Sequence, residues 1–247
     1  MQRKYGWAGP APMNWSRPQY LLTAPSVPDH VDRLSISIPI RDQGQEGACT
    51  GFGSTRAIQT ALKCATLSPQ FTYFGGRVLE GTQDSDSGAA VGDVMAAVME
   101  YGAATEAVYP YRVGSFAMRP TLDAYVDAEP VKVAIRPPRS VGSLAALKQA
   151  LAAGHPVVGG FSVPGYFESD QMQHTGFLPT PVVGDQFLGG HCIVYDGYDD
   201  RAPEPFLWVA NSWSADWGPF GGWFKMSQRW WTSPDRLVDD SWAILPA

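Results

Sequence analysis

The chemistry this chain could perform rests on few side chains. Its 247 residues include three cysteines (Cys49, Cys64 and Cys192) and four histidines. Cys49 lies in RDQGQEGACTGFGS (41–54), six residues after Gln43 and at the start of a predicted helix. A cysteine attacks as its thiolate, and a helix N-terminus with a nearby imidazolium favours that form. Gly47 and Ala48 leave room for close backbone approach. The Gln43 amide could supply one donor to a developing oxyanion, with the Cys49 backbone N–H as the second. Taken alone, a cysteine in a glycine-rich turn is structural more often than not.

His30, His155 and His174 fall in a Pro-rich segment, at a helix stop and in a polar loop, where exposed histidines are ordinary. His191 differs: it follows Gly189–Gly190 and opens an apolar run, so a rigid strand could deliver it to a cleft. Asn211 closes a second apolar run, FLWVA, and precedes Ser212–Trp213. An amide buried there needs a partner. A neighbouring imidazole would serve, and the Trp213 indole could shield that bond from water.

Several elements must bring these groups together. A helix is expected from Cys49 to about Cys64, weakened by Gly51 and Gly53 in a way that points to close packing. SPQFTYFGGRVLEG begins a second helix, with Ser68 as N-cap and Pro69 at its first position. DSGAAVGDVMAAVMEYG carries a third, with Val91, Val94, Met95 and Val98 on its apolar face and Gly102 as its stop. A short helical piece is expected around 120–128, a strand at VKVAIRP, and a helix with Leu144, Leu147 and Leu151 on one face, ended by Gly154. Strands are expected at 156–163, 191–198, 206–213 and 221–227, and a short edge strand at SISIPI (35–40). Residues 1 to about 35 read as an extended segment on the surface. Helices first and strands second predict an α+β fold of two lobes with a cleft between them.

Composition narrows the classes. Net charge is −6 and pI about 5.1, with no basic run, which argues against a nucleic-acid partner. No apolar run approaches the roughly 18 residues of a membrane span. The N-terminus lacks the apolar stretch of a secretory signal. Three scattered thiols fit neither a disulfide framework nor a zinc site. They suggest reduced cysteines and a cytoplasmic or other reducing compartment, with a Cys64–Cys192 bridge as the alternative.

Taken together, Gln43-x5-Cys49, GGHCIVYDGYDD and NSWSADWGPFGGWFKM resemble the three signature blocks of papain-like cysteine peptidases of the C1 family. His191 stands 142 residues and Asn211 162 residues after Cys49. The stretch from Ser68 to Tyr111 resembles bacterial and viral members. The resemblance covers about 35–227. It implies a papain-like α+β fold, a helical lobe over about 44–130 and an antiparallel, β-barrel-like lobe over about 131–247, after an N-terminal segment 1–34. It implies that Cys49 attacks, His191 carries the proton, Asn211 holds the imidazole and Gln43 lines the oxyanion hole. Ser87, Gly88 and Ala89 would pair with an extended substrate. Gly160 and Cys192 would border the specificity pocket, with Gly190 and Trp213 beside it, and the small Gly160 suggests room for an apolar or aromatic side chain.

The expected partner is a polypeptide, with no cofactor and no metal. Another acyl transfer on the same fold, amidase or transpeptidase, and a non-catalytic binding module are the alternatives. Glu46 and Asp86 stand at or near a pair of half-cystine positions of many relatives, and Thr50 replaces the usual Trp after the nucleophile. A short N-terminus without helical pattern predicts a chain free of an inhibitory prodomain.

Overall fold

The computed structural model describes residues 4–10, 19, 27–180 and 184–247. The helical part opens with α1 (Cys49–Leu62), α2 (Pro69–Glu80) and α3 (Val91–Tyr101), followed by α4 (Leu122–Ala134). The Ser68 hydroxyl caps α2 by accepting the Phe71 N–H, and Pro69 stands at its first position as expected. α1 is buried along most of its length, from Cys49 to Gln59, against α2, α3 and the sheet. Its glycines are packing sites. A Cβ on Gly51 would lie 2.4 Å from the Pro69 carbonyl oxygen, and one on Gly53 would lie 2.8 Å from Cys192 Sγ.

The second part is an open, mostly antiparallel sheet of eight strands: β1 (His30–Val31), β2 (Arg139–Ser140), β3 (Val157–Pro164), β4 (Phe177–Leu178), β5 (Phe187–Asp199), β6 (Phe206–Ala210), β7 (Trp223–Ser227) and β8 (Val238–Ala243). Its order is β2-β8-β3-β5-β6-β7-β4, with β1 also on β5 and only β4–β7 parallel. α5 (Leu144–Ala152) packs on β3 and β5, and the short α6 (Asp170–Thr175) follows β3.

Two of the three apolar clusters among the described residues bear on the site. One joins α1 and α3 to the sheet through Ile58, Val94, Val158, Val194 and Trp242. The other fills the β lobe with Leu147, Phe161, Phe167, Trp213, Phe224 and Trp230. The central strand β5, which carries His191, and α1, which begins at Cys49, therefore meet across the first core.

Two local expectations fail for physical reasons. SISIPI forms turns, not an edge strand. Its polar groups are claimed elsewhere: Ser35 N and Oγ donate to the buried Asp196 carboxylate, while the Arg56 guanidinium donates to the carbonyls of Ser35, Ile38 and Pro39. VKVA continues α4 as its last turn rather than forming a strand. Pro130 interrupts the hydrogen bonding of α4, but Val126, four residues earlier, is 67% exposed, so water can reach that turn. All three cysteines are free, with Cys64 exposed and Cys192 buried, so the alternative Cys64–Cys192 bridge is absent. Among the described residues no helix is long and apolar enough to cross a membrane.

Candidate active site

Cys49 is the first residue of α1, preceded by Ala48, whose side chain cannot cap the helix. The first-turn N–H groups therefore face the sulfur end without a competing carboxylate. The Cys192 N–H donates to Cys49 Sγ at 3.4 Å, so the strand residue directly after His191 touches the sulfur. His191 Nε2 lies 2.8 Å from Asn211 Oδ1. That oxygen also accepts the Ser212 N–H at 2.8 Å, which fixes the amide's orientation. An oxygen only accepts, so Nε2 carries the proton and the lone pair of the neutral ring is on Nδ1. Trp213 lies over the pair, its ring centroid 5.1 Å from that of His191 at an interplanar angle of 37°. All three residues are buried.

Gln43 is buried beside this group. Its Oε1 accepts the Ser212 hydroxyl at 2.6 Å, and its Nε2 donates to the Glu46 carbonyl at 2.9 Å. The amide N–H₂ thus faces the Cys49 loop. Ser212 escaped sequence reasoning. Its position between Asn211 and Trp213 is the only local signal, and its role needs the Gln43 loop folded against it.

The family model described as papain family cysteine protease matches residues 25–233. The chain belongs to the papain family of cysteine proteases. Xylellain, a cysteine protease from Xylella fastidiosa, superposes with a TM-score of 0.88 at 27% identity, over 100% of this chain and 98% of that one. An uncharacterised peptidase C1-like protein of Acanthamoeba polyphaga mimivirus is 29% identical over 82% of this chain and 68% of its own length. Bovine pro-cathepsin H is 25% identical over 90% of this chain, which spans 66% of that relative's length.

Papain-family membership makes the N-terminal segment the main surprise. Residues 1–3, 11–18 and 20–26 of the expected surface segment lie outside the described residues. Residues 4–8 run through the cleft, with Gly6 buried and Lys4 and Ala8 exposed at its two ends. Trp7 N donates to Gly190 O at 3.0 Å, Ala8 N to Ala89 O at 3.2 Å, and Ala89 N to Gly6 O at 2.8 Å. Gln43 Nε2 donates to Lys4 O at 3.3 Å, and the Gly6 N–H faces the Cys49 sulfur. Tyr5 rests edge-on to His191 and bonds Glu168. Lys4 pairs with Asp86 at 2.5 Å. A hydrogen-bond donor, not a carbonyl carbon, therefore meets the sulfur. The short N-terminus, read as leaving the chain free of an inhibitory prodomain, itself occupies the cleft. A few residues, with Gly6 at the crossing point, fill the cleft past Cys49.

This cover buries Cys49 completely, and burial pushes its thiol up to about 11. The helix N-terminus does not overcome that desolvation while the segment is in place.

The residues expected to meet a substrate divide. Ala89, Gly190 and Gly160 line the cleft, and the Trp7 indole lies flat on Gly160, where a Cβ would come within 2.1 Å of the ring. Cys192 is buried behind them, near Gly53. Gly88 (φ +77°) lies against Gly6 and donates its N–H to Tyr73. Ser87 faces away, its hydroxyl bonded to Thr82 and to the Gly88 carbonyl. Of the two acidic residues singled out in the sequence, Asp86 accepts the Gly47 N–H at 3.0 Å and the Tyr73 hydroxyl at 2.7 Å, while Glu46 accepts the Gly114 N–H. A carboxylate thus pins the Cys49 loop. Thr50 Oγ1 is buried with no hydrogen-bond partner. Among the described residues no group of three or more His, Cys, Asp or Glu gathers to hold a metal.

Proposed function

We propose that the chain hydrolyses peptide bonds through an acyl-enzyme thioester on Cys49. The observation that carries this reading is the buried His191 Nε2–Asn211 Oδ1 bond at 2.8 Å, one residue from the N–H that touches Cys49 Sγ. With the cleft open, the Cys49 proton passes to His191 Nδ1, and Asn211 steadies the resulting imidazolium. The thiolate attacks the substrate carbonyl carbon, forming a C–S bond. The Gln43 N–H₂ and the Cys49 N–H stabilise the oxyanion. The C–N bond breaks as His191 returns its proton to the leaving amine. Water, deprotonated by His191, then cleaves the thioester and frees Cys49.

The substrate is a polypeptide laid along Ala89 and Gly190, the groups that the chain's own residues 6–8 now use. Turnover of a fluorogenic peptide library tests the reading. Cys49→Ala should abolish turnover. Asn211→Ala should lower kcat by roughly 10- to 100-fold and leave measurable activity, because it orients and does not react. Undiminished turnover in Cys49→Ala would overturn the proposal.

A further inference from the structure

The pocket that receives Trp7 has a charged floor. Asp240 is 2% exposed and lies on β8, far from Cys49 in sequence. Between the pairs Val158–Trp242 and Gly160–Asp239, β3 has one residue and β8 has two, which is a β-bulge. Asp240 sits in that bulge with φ +50°, a left-handed backbone that costs energy for a residue with a Cβ. The bulge turns its carboxylate under the cleft. Three of the chain's own donors already hold it: Val91 N at 2.7 Å, Gly92 N at 3.1 Å and Trp242 Nε1 at 2.9 Å. The fourth donor is the indole Nε1 of Trp7, at 3.3 Å.

We infer that Asp240 is the specificity-determining residue of this pocket, and that the pocket selects tryptophan from a substrate. The inference deepens the peptidase reading and rests on it. Shape and hydrogen-bonding capacity agree. Gly160 and Gly190 offer a flat, backbone-lined slot that an indole fills and that any Cβ there would close. Three donors occupy the carboxylate, so it has room for one more N–H. An indole brings one N–H on an apolar ring; an ammonium or guanidinium would bring several that need further acceptors. A phenyl ring would fill the slot and leave the acceptor unused. Sites built to bond one donor reject analogues that lack it more strongly than apolar pockets reject a missing methylene. Trp7 is thus a side chain of the class the pocket reads, delivered by the chain itself.

The test uses the full chain carrying Gly6→Ala and Trp7→Ala: the first forces the segment out of the cleft against Gly47, the second keeps its own side chain from refilling the pocket. A labelled peptide of the sequence of residues 4–10 is compared with one whose tryptophan is replaced by 2-naphthylalanine, of similar shape without the N–H. Fluorescence polarisation should give a Kd about tenfold lower for the tryptophan peptide, the size of one hydrogen bond to a charged acceptor. Adding Asp240→Ala should bring the two Kd values together. If that variant does not fold, the peptide pair still decides. Gly160→Ala should weaken both peptides alike. Equal Kd values for the two peptides, or tighter binding with arginine at that position, would overturn the inference. Turnover of substrates by the same Gly6→Ala, Trp7→Ala chain separates the two readings. No turnover together with selective binding counts against the peptidase; turnover without tryptophan selection counts against Asp240.

Discussion

Gly6→Ala should uncover Cys49. A Cβ on Gly6 would lie 1.8 Å from the Gly47 carbonyl oxygen and 2.3 Å from its carbon. Gly47 cannot yield easily, because its N–H is held by Asp86. The segment must therefore withdraw by more than about 1 Å, beyond what its hydrogen bonds to Gly190 and Ala89 tolerate. Three backbone hydrogen bonds at about 1 kcal/mol each amount to about 3 kcal/mol, or roughly 150-fold in the ratio of open to closed chain. Ionisation adds a second effect. At pH 7.5 a thiol at about 11 is thiolate in about 3 molecules per 10,000, whereas one at the ordinary value near 8.5 is about 10% ionised.

The assay is iodoacetamide alkylation at pH 7.5, with Cys49 and Cys64 peptides quantified by mass spectrometry. Cys64 is exposed and serves as an internal reference. The Cys49:Cys64 labelling ratio should rise at least about 100-fold in Gly6→Ala, as estimated from those hydrogen bonds. The pH dependence has a definite sign. Closing the cleft raises the thiol's value, so the closed form takes up a proton that the open form releases. Closure is fully favoured below about 8.5 and weakens as pH rises towards about 11. The wild-type ratio should therefore climb over that window, and the Gly6→Ala ratio should climb less. An unchanged ratio in Gly6→Ala would refute the account of how Cys49 is covered.

Two further outcomes are expected. Ser212→Ala removes the hydroxyl that orients Gln43, so kcat should fall roughly tenfold with KM little changed, and the unpaired Gln43 oxygen should lower Tm. A lowered KM with unchanged kcat would contradict the positioning role. Burial alone would raise the Asp86 carboxyl, but hydrogen bonds from Lys4, Tyr73 and Gly47 hold it below its usual value. Its stabilisation is thus present above about pH 4 and lost as pH falls through its lower folded value. Between pH 5 and pH 3 the wild-type Tm should fall more steeply than that of Asp86→Asn; parallel curves would refute the role of that carboxylate.

Legibility in the sequence tracks the range of the interactions. The elements that carry Cys49, His191 and Asn211 are fixed by short strings: a helix opened by a glycine-containing turn and apolar runs broken by glycine and proline. Those residues were therefore readable together with their surroundings. SISIPI was misread because alternation implies a strand only when neighbouring strands supply hydrogen bonds. Arg56 and Asp196, one on α1 and one on β5, supply them instead. Asp240 was missed because a bulge in a late strand, invisible to periodicity, aims it under the cleft.

The covering segment shows the same limit most sharply. KYGWAG has no periodicity, and every bond that seats it crosses to another element: Gly190 on β5, Ala89 before α3, Gln43 and Asp86 on loops. Under the proposed function, Gly190 and Ala89 are also the groups along which a substrate backbone is laid. Segment and substrate therefore compete for the same donors and acceptors, and one cannot be strengthened without the other. A change in Ala89 or Gly190 shifts both affinities together, whereas a Cβ added at Gly6 would strike Gly47 and so disturbs the segment's own path. Gly6, not a residue of the cleft wall, is the position at which closure can be altered while the site is left intact.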